Sequence, residues 1–288
     1  MKIYVKTPQC YATGGVELLH QLVHEINAQG GAATIWYQDA KEDNPTPDEY
    51  AIYGNPYYTG STVPQNSVVV LPEIWANITS WFRHPVIYWE SVDNYVSRFE
   101  NLKPYAECHL SQSEYATQFL KSQGIDSIFV TDYLNDAFLE EYEETEREPI
   151  VLYNPAKGYE YTQQIMDERF VPIEGMTREE IIRLMRRSMV YIDLGNHPGK
   201  DRIPREAAMC GLCVITGRNG SALYDINIPE KYKIERTDTQ RIKDTVQHCL
   251  DTFPQSDFDN YRKSIGQEKK RFREGVHEVL NYYTGIQL

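Results

Sequence analysis

The segment from His197 to Gly217, HPGKDRIPREAAMCGLCVITG, concentrates charged side chains just ahead of an Ala-rich turn and an apolar strand. Three basic residues, Lys200, Arg202 and Arg205, are followed at once by Glu206. Basic side chains near the start of a helix suit an anionic ligand, because helix N-termini themselves attract negative charge. The sequence therefore predicts an anion-binding turn here.

The distribution of charge along the chain favours the same region. The 288 residues carry a formal charge of −13, which argues against nucleic acid as a partner because phosphate backbones are held by clustered Lys and Arg. Residues 1–148 hold 8 Lys and Arg against 22 Asp and Glu, whereas residues 149–288 hold 21 against 20. We therefore expect an anionic ligand to bind in the second half.

The elements that must position these residues alternate between strands and helices. The first half contains apolar segments typical of strands, separated by the helical patterns VELLHQLVHEINAQGG and SEYATQFLKSQG; these segments are KIYVKTP, AATIWYQ, SVVVLPE, PVIYWES, ECHLSQ and SIFVTDY. Continuous apolar strands separated by helices are typical of a parallel sheet covered on both faces.

An acidic stretch, LEEYEETEREP at residues 139–149, interrupts the alternation and predicts a solvated linker. The alternation then restarts with IVLYNP, the helix YTQQIMDE, RFVPIEG, the helix TREEIIRLMRRS, MVYIDLG, the helix PREAAMCG and CVITG, followed by helices near 238–253 and 257–283. We expect an α/β fold with two Rossmann-like doubly wound domains facing a cleft, residues 1–138 and 150–256. Residues 257–288 form a C-terminal helix able to cross back to the first domain.

Ligands of such sheets bind at the carboxyl ends of the strands. Three turns fall there: Gly14-Gly15 after the first strand, Asn154 to Gly158 after the first strand of the second domain, and the turn that follows MVYIDLG. The glycine pair lets a ligand approach the backbone closely, although a tight strand–helix turn needs glycine in any case.

The motif residues resemble the donor site of GT-B glycosyltransferases, in particular the retaining family four. That family carries a segment P-x-E-A-x-x-x-G-x-P-V-I, and the residues that match it here are Pro204, Glu206, Ala207, Gly211, Val214 and Ile215. Lys157-Gly158 resembles the family's Lys-Gly turn, and Gly14-Gly15 its N-terminal glycine pair. The resemblance in domain order covers nearly the whole chain, and the motif about twenty residues.

The chain departs from the family pattern at three positions. Cys213 stands where the family has proline, Pro198 where it has a second glutamate, and Asn154 near the place of an arginine. These departures leave open whether transfer retains or inverts the configuration of the sugar.

The resemblance implies a nucleotide-diphosphate sugar as donor substrate, with neither cofactor nor metal. Breaking a sugar–phosphate bond builds negative charge on the departing diphosphate, which fixed positive charges stabilise. The implied diphosphate ligands are Lys157, Lys200, Arg202 and Arg205, with Glu206 on the ribose and Gly14 and Gly15 lining the site. A paired-carboxylate DxD motif, which would hold a metal, is absent from the strand-end turns.

The segment VIYWESVDNY offers carboxylates and aromatic rings for a carbohydrate or other hydroxyl acceptor. Glu90 and Asp93, with Glu17 from the first helix, are candidates to bind it, and Glu90 or Asp93 to act as a base. Aromatic faces would come from Tyr88, Trp89 and Tyr95. The alternative is a structural turn in which Asp93 caps a following helix.

Two other functions remain compatible with these residues. A nucleotide-sugar 2-epimerase uses the same architecture and donor, and a non-catalytic sugar-binding module has a similar two-domain plan. The N-terminus MKIYVKTPQC lacks the apolar core of a signal peptide, which predicts a cytoplasmic location without a membrane span. Cys210 and Cys213 form a CxxC that closes a helix instead of opening one, so we interpret both as core residues.

Overall fold

The computed structural model describes residues 2–8, 13–99, 102–142 and 146–285. The chain divides into two compact units: unit 1 comprises Met1–Tyr133 with Lys269–Leu288, and unit 2 comprises Leu134–Glu268. Relative to the boundaries expected from sequence, residues 134–138 and 257–268 lie in unit 2.

Unit 1 is built on a seven-stranded parallel sheet with the order β3-β2-β1-β4-β5-β6-β7. Its strands are β1 (Ile3–Lys6), β2 (Ala33–Trp36), β3 (Tyr57–Tyr58), β4 (Val68–Pro72), β5 (His84–Trp89), β6 (Cys108–Ser111) and β7 (Ile128–Phe129). The order reverses between β1 and β4, as in a doubly wound sheet, so ligand-binding loops are expected to meet there.

Both faces of this sheet are covered. Its helices are α1 (Gly14–Ala28), α2 (Val92–Arg98), α3 (Glu114–Ser122) and α10 (Glu268–Gly285), with 3-10 segments at Asp48–Tyr53 and Glu73–Trp81. Ile3 and Val5 of β1 share a core with Phe272 and Val276 of α10, whereas Tyr4 faces a second cluster on the opposite side. The alternation along β1 therefore reflects burial on both faces.

Unit 2 has a five-stranded parallel sheet with the order β12-β11-β10-β8-β9. Its strands are β8 (Glu148–Tyr153), β9 (Phe170–Pro172), β10 (Ser188–Asp193), β11 (Cys213–Gly217) and β12 (Lys233–Ile234). Its helices are α4 (Tyr159–Thr162), α5 (Arg178–Arg187), α6 (Arg202–Met209), α7 (Gly220–Tyr224), α8 (Thr239–Thr252) and α9 (Asp259–Gly266). The order reverses between β8 and β10. The predicted Rossmann-like α/β architecture is confirmed in each unit.

Two predicted helices differ from those observed. The helix expected through YTQQIMDE is only the four residues of α4. The single helix expected over 257–283 is divided at Gln267 into α9 and α10. By contrast α5 begins as its sequence predicts, because Thr177 and Glu180 form a complete capping box.

The four described cysteines are free and buried, and Cys210 and Cys213 lie in the core of unit 2. Burial raises the pKa of Cys210 to about 11, so its thiol is unsuited to redox chemistry at neutral pH. Within the described residues, every helix is too short or too polar to cross a lipid bilayer.

Candidate functional site

The turns after β8 and β10 meet at the point where the strand order of unit 2 reverses. Lys157, in the turn between β8 and α4, forms an ion pair with Asp201, the residue that precedes α6. The lysine side chain is 35% exposed, so its ammonium group is accessible from solvent. The predicted basic turn and the predicted motif segment are therefore brought together by one salt bridge.

Gly158 explains why the two turns can approach so closely. Its φ is +61°, and a Cβ built there would lie 2.5 Å from the carbonyl oxygen of Leu194 and 2.6 Å from the amide nitrogen of Gly195. Backbone atoms cannot move aside as a flexible side chain can, and a positive φ also disfavours other residues. Glycine at this position therefore fixes the spacing between Lys157 and the loop after β10.

His197 is buried beneath the loop after β10 and makes hydrogen bonds within it. Its Nδ1 lies 2.8 Å from Oδ2 of Asp201, and its Nε2 lies 3.2 Å from the carbonyl oxygen of Asp193. Burial acts to lower the pKa of His197, but the hydrogen bond to Asp201 and the charges of both aspartates outweigh it and raise the pKa. The two aspartates therefore act in favour of the protonated imidazole, in which both nitrogens donate.

Asp193, His197 and Asp201 also offer the kinds of atom that bind a divalent metal, and these atoms lie within 4.8 Å of one another. In the folded chain Lys157 pairs with Asp201, and His197 lies between the two aspartates, which raise its pKa. The carboxylates of this cluster thus already have partners among the protein's own side chains.

Helix α6 and the loop before it carry the rest of the predicted donor residues. The Arg205 guanidinium is only 1% exposed and donates to Oε2 of Glu268 at 2.7 Å, while Nζ of Lys200 lies 2.7 Å from Oε1 of the same carboxylate. Arg205 is therefore a buried structural cation, which corrects its predicted role as a diphosphate ligand. A sequence shows the charge of Arg205 but not its partner 63 residues further along the chain.

Arg202 and Glu206 remain at the surface of α6. Arg202 is the first residue of the helix and is half-buried, and Glu206, one turn later, is also half-buried. Residues four apart lie on the same side of a helix, so both side chains extend from one face. Of the predicted donor residues, Lys157, Arg202 and Glu206 thus have side chains at least partly open to solvent at the turns after β8 and β10.

The carboxyl edge of the sheet in unit 1 brings two predicted residues together. Gly14 and Gly15 open α1 behind the cap Thr13, whose hydroxyl accepts from the backbone N–H of Val16. A Cβ at Gly15 would collide with Oε2 of Glu90, which follows β5. The Glu90 carboxylate therefore lies against the first turn of α1, where the helix dipole favours a negative charge.

Glu73, which the sequence analysis did not single out, supports this arrangement. It follows β4 and is 2% exposed, and its Oε2 accepts the backbone N–H of Glu90 at 3.0 Å. Burial raises the pKa of Glu73 to about 7, against the opposing effect of its backbone hydrogen bonds. The only signal in the sequence was a glutamate directly after an apolar strand.

The other acidic candidates of unit 1 are engaged within the fold. Asp93 lies inside α2 and accepts from the Tyr115 hydroxyl at 2.7 Å. The N-cap position of this helix is Ser91, whose side chain makes no capping hydrogen bond, so the alternative of Asp93 as the cap is wrong. Glu17 is buried and accepts from the Tyr53 hydroxyl at 2.8 Å.

The aromatic residues expected to stack on sugar rings are core residues. Tyr88, Trp89 and Tyr95 are all buried, and the Trp89 indole donates to Nδ1 of His109 at 3.0 Å. Burial lowers the pKa of His109 to about 4, as expected for a neutral core histidine. The prediction that these rings present faces to a sugar is therefore wrong.

The two Rossmann-like units and their strand-end loops define the chain as a GT-B-type fold. Among solved structures it is similar to sucrose-phosphate synthase from Thermosynechococcus elongatus, with a TM-score of 0.72 and 12% identity over 99% of both chains. It is also similar to HepE from Anabaena in complex with UDP and glucose, with a TM-score of 0.69 and 12% identity over 98% of this chain and 100% of HepE.

A glycosyltransferase from Rickettsia africae is likewise similar, with a TM-score of 0.65 and 11% identity over 99% of this chain and 98% of the other. No protein-family model matches the chain, and no curated protein matches its sequence. At these identities the likeness establishes the fold.

Proposed function

We propose that this protein is a glycosyltransferase that moves a sugar from a nucleotide-diphosphate sugar to a hydroxyl group of a glycan or other acceptor. The observation that carries the proposal is the ion pair of Lys157 and Asp201 where the strand order of unit 2 reverses. Ligands of open α/β sheets bind at such points. The similar HepE structure contains UDP and glucose, which makes UDP-sugars the first donors to test.

Lys157 is suited to receive the diphosphate because its present partner, Asp201, has a second hydrogen-bond partner. When the ammonium turns toward a phosphate, Asp201 keeps its hydrogen bond to His197. Arg202, at the start of α6, adds a charge beside the helix N-terminus. Together they would stabilise the negative charge that builds on the leaving diphosphate.

Glu206 would accept hydrogen bonds from the ribose hydroxyls. It lies one turn beyond Arg202, so a nucleotide whose phosphates contact the start of α6 would present its ribose further along the helix. Lys200 and Arg205 neutralise Glu268 and hold α6 in place. We therefore assign them a supporting role.

Unit 1 would bind the acceptor at Gly15 and Glu90. The glycine leaves room for the Glu90 carboxylate at the start of α1, and a carboxylate there can accept a hydrogen bond or a proton from an incoming hydroxyl. Asp93 is bound by Tyr115 and is the weaker candidate for this role.

We further propose that transfer requires no metal, because Lys157 and Arg202 supply the charge that a bound cation would supply elsewhere. The main observation against this part of the proposal is the cluster of Asp193, His197 and Asp201, whose side chains could hold a metal ion. Turnover should persist in excess EDTA. Loss of activity in EDTA, with recovery on addition of Mn²⁺ or Mg²⁺, would show that this cluster or another one binds a metal.

The function is tested by a thermal-shift screen of UDP, GDP, dTDP and CMP sugars, because a ligand that binds only the native state raises the melting temperature. The donor that stabilises the protein is then incubated with candidate acceptors, and transferred sugar is measured by mass spectrometry. Stabilisation with transfer supports the proposal. Interconversion of the sugar without an acceptor would indicate an epimerase. Binding of a free sugar but not of nucleotides would indicate a binding module.

A further inference from the structure

Unit 1 contains a cavity of about 350 Å³ beside the edge of its sheet. It is enclosed by the end of β2, by the loop over residues 61–67 and by the end of the 3-10 segment Glu73–Trp81 with the two residues that follow. A volume of this size lies within the range of small-molecule sites, which begins at about 300 Å³.

The walls of the cavity are mainly aromatic and aliphatic. They include Trp36, Val63, Ile78 and Phe82, and Trp81 stands at the side with 73% of its surface exposed. The indole N–H of Trp36 already donates to the carbonyl oxygen of Gly60 at 2.7 Å. A ligand would therefore place an apolar body against these side chains.

Gln38 closes one end of the cavity with its polar atoms engaged. Its Oε1 accepts from Lys6 Nζ at 2.5 Å, and its Nε2 donates to the carbonyl oxygen of Ser61 at 2.9 Å. The Lys6 ammonium behind it lies over the rings of Trp36 and Trp75, 4.5 and 4.6 Å from their centroids. The charge of Asp39 acts on this ammonium, so that end of the cavity holds charges of both signs.

Among the described residues that line the cavity, the charged side chain is a cation, Arg83, although this half of the chain is acidic. Among the described residues that line it, none is an aspartate or glutamate, although residues 1–148 carry 22 of them. Arg83 is exposed at the rim and donates to the Asn66 side chain at 2.9 Å; in the described parts of the chain no carboxylate lies within ion-pair distance of its guanidinium. An arginine beside an apolar cavity suits a ligand with one anionic group.

We propose that this cavity is a second binding site that takes a small anionic amphiphile, with an aromatic or aliphatic body inside the cavity and a carboxylate or similar anion on Arg83. Arg83 precedes β5, whereas Glu90 follows it. A strand of this length separates them by roughly 20 Å, so the anion position at Arg83 is distinct from the proposed acceptor position at Glu90, whereas the Gln38 end of the cavity lies nearer that edge of the sheet. The proposal rests on the cavity alone and stands whether or not the protein transfers sugars.

The test compares three compounds that share a phenyl ring on a four-carbon chain and differ in charge: 4-phenylbutyrate, 4-phenylbutan-1-ol and 4-phenylbutylamine. Binding to the full-length protein is measured by calorimetry and by the fluorescence of the exposed Trp81. We expect 4-phenylbutyrate to bind with a stoichiometry of one and more tightly than the alcohol, and the amine to bind weakest. Equal or reversed affinities, or no binding of any of the three, would overturn the proposal.

Two variants locate the site. Arg83→Gln should weaken 4-phenylbutyrate about tenfold or more, the loss of a charge-assisted hydrogen bond, and leave the alcohol unchanged. Arg241→Gln, on an exposed face of α8, is the matched control and should change neither. Thr62→Trp, on the exposed loop that lines the cavity, should block all three compounds. Undiminished 4-phenylbutyrate binding in Arg83→Gln or Thr62→Trp would contradict the assignment.

Discussion

The carboxyl edges of the two sheets hold buried carboxylates in different ways. In unit 2, Asp201 is bound by the His197 imidazole and the Lys157 ammonium. In unit 1, Glu73 is bound by the backbone N–H of Glu90, and Glu17 by a tyrosine hydroxyl. The carboxylate in unit 2 has a lysine and an imidazole of raised pKa as partners, whereas those in unit 1 accept from neutral donors, with Arg98 acting on Glu73 through its charge alone.

The consequence appears in the pKa values of two carboxylates, both largely enclosed. Burial raises the pKa of either group, but at Asp201 the hydrogen bond from His197 and the charge of Lys157 reverse the effect and lower it. At Glu73 the effect of burial prevails, and the pKa rises to about 7. The edge of unit 2 therefore supports fixed charges that can bind an anion, and the edge of unit 1 supports groups that can exchange protons.

The largest expected effect of a substitution is at Glu90, the proposed base in unit 1. Glu90→Gln should lower kcat by about 10²-fold or more, because the amide cannot take a proton from the acceptor hydroxyl. The assay is sugar transfer at saturating donor, with donor binding measured separately and expected to stay constant. Glu114→Gln, at the exposed start of α3, serves as the control. A transfer rate unchanged in Glu90→Gln would remove Glu90 from the reaction.

Lys157→Ala tests the corresponding charge in unit 2. We expect kcat to fall by about 10²-fold, the effect of losing one preorganised contact to the leaving group. Lys157→Arg keeps the charge and should recover part of the rate, whereas Lys243→Ala on the exposed surface of α8 should have no effect. Equal activity of Lys157→Ala and Lys243→Ala would show that the ion pair with Asp201 is structural only.

Glu206→Gln should weaken donor binding by about 1–3 kcal/mol and leave the protein folded, because ribose hydroxyls lose a charged acceptor. Isothermal titration with the donor found in the screen measures this, and the free nucleoside diphosphate should lose as much as the nucleotide sugar. If the loss were confined to the nucleotide sugar, Glu206 would contact the sugar and not the ribose.

The pH dependence of unfolding should separate the two edges. Glu73 has a folded pKa above its ordinary value of 4.5, so its native state binds more protons, and stability falls as pH rises from 4.5 to about 7. His197 also has a raised pKa, and its contribution is complete below 6.5 and is lost as pH rises beyond that value. Each effect reaches at most about 1.4 kcal/mol per unit of pKa shift.

Glu73→Gln should remove the change in the free energy of unfolding between pH 4.5 and about 7 that is due to Glu73. His197→Asn should remove the change that occurs above pH 6.5. The measurement is chemical unfolding followed by hydrogen exchange, which assigns the change in stability to unit 1 or unit 2. If Glu73→Gln changed the pH dependence of stability in unit 2, or His197→Asn that in unit 1, the assignment of these groups to the two edges would be wrong.

The fold could be predicted from sequence because its signals are local. Apolar runs such as SVVVLPE gave β4, and the Thr177 to Glu180 pattern gave the start of α5. The break at Gln267 was missed because the helical pattern continues through it, and tertiary contacts decide where such a helix divides. The helix through YTQQIMDE was predicted to be longer than the observed α4 for the same reason.

The candidate site was predicted less completely, because its residues depend on partners distant in sequence. Lys157 and the α6 motif were found by their types and their places after strands. Arg205 was misassigned because Glu268 neutralises it from far along the chain. His197 was passed over although Asp193 and Asp201 lie only four residues to either side, because the sequence does not show that the loop folds both aspartates onto the imidazole. Burial and pairing are properties of the fold and not of the motif.

The position of α10 sets the order in which the molecule can be completed during synthesis. The strands β1 to β7 leave the ribosome first, yet Phe272, Val276 and Val279 of α10, which cover part of their apolar face, emerge only after all of unit 2. Unit 2 is continuous and can close as soon as Glu268 has appeared. The synthesis of unit 1 therefore begins first and ends last. Until α10 has emerged, Ile3 and Val5 can pack against α1 but not against α10.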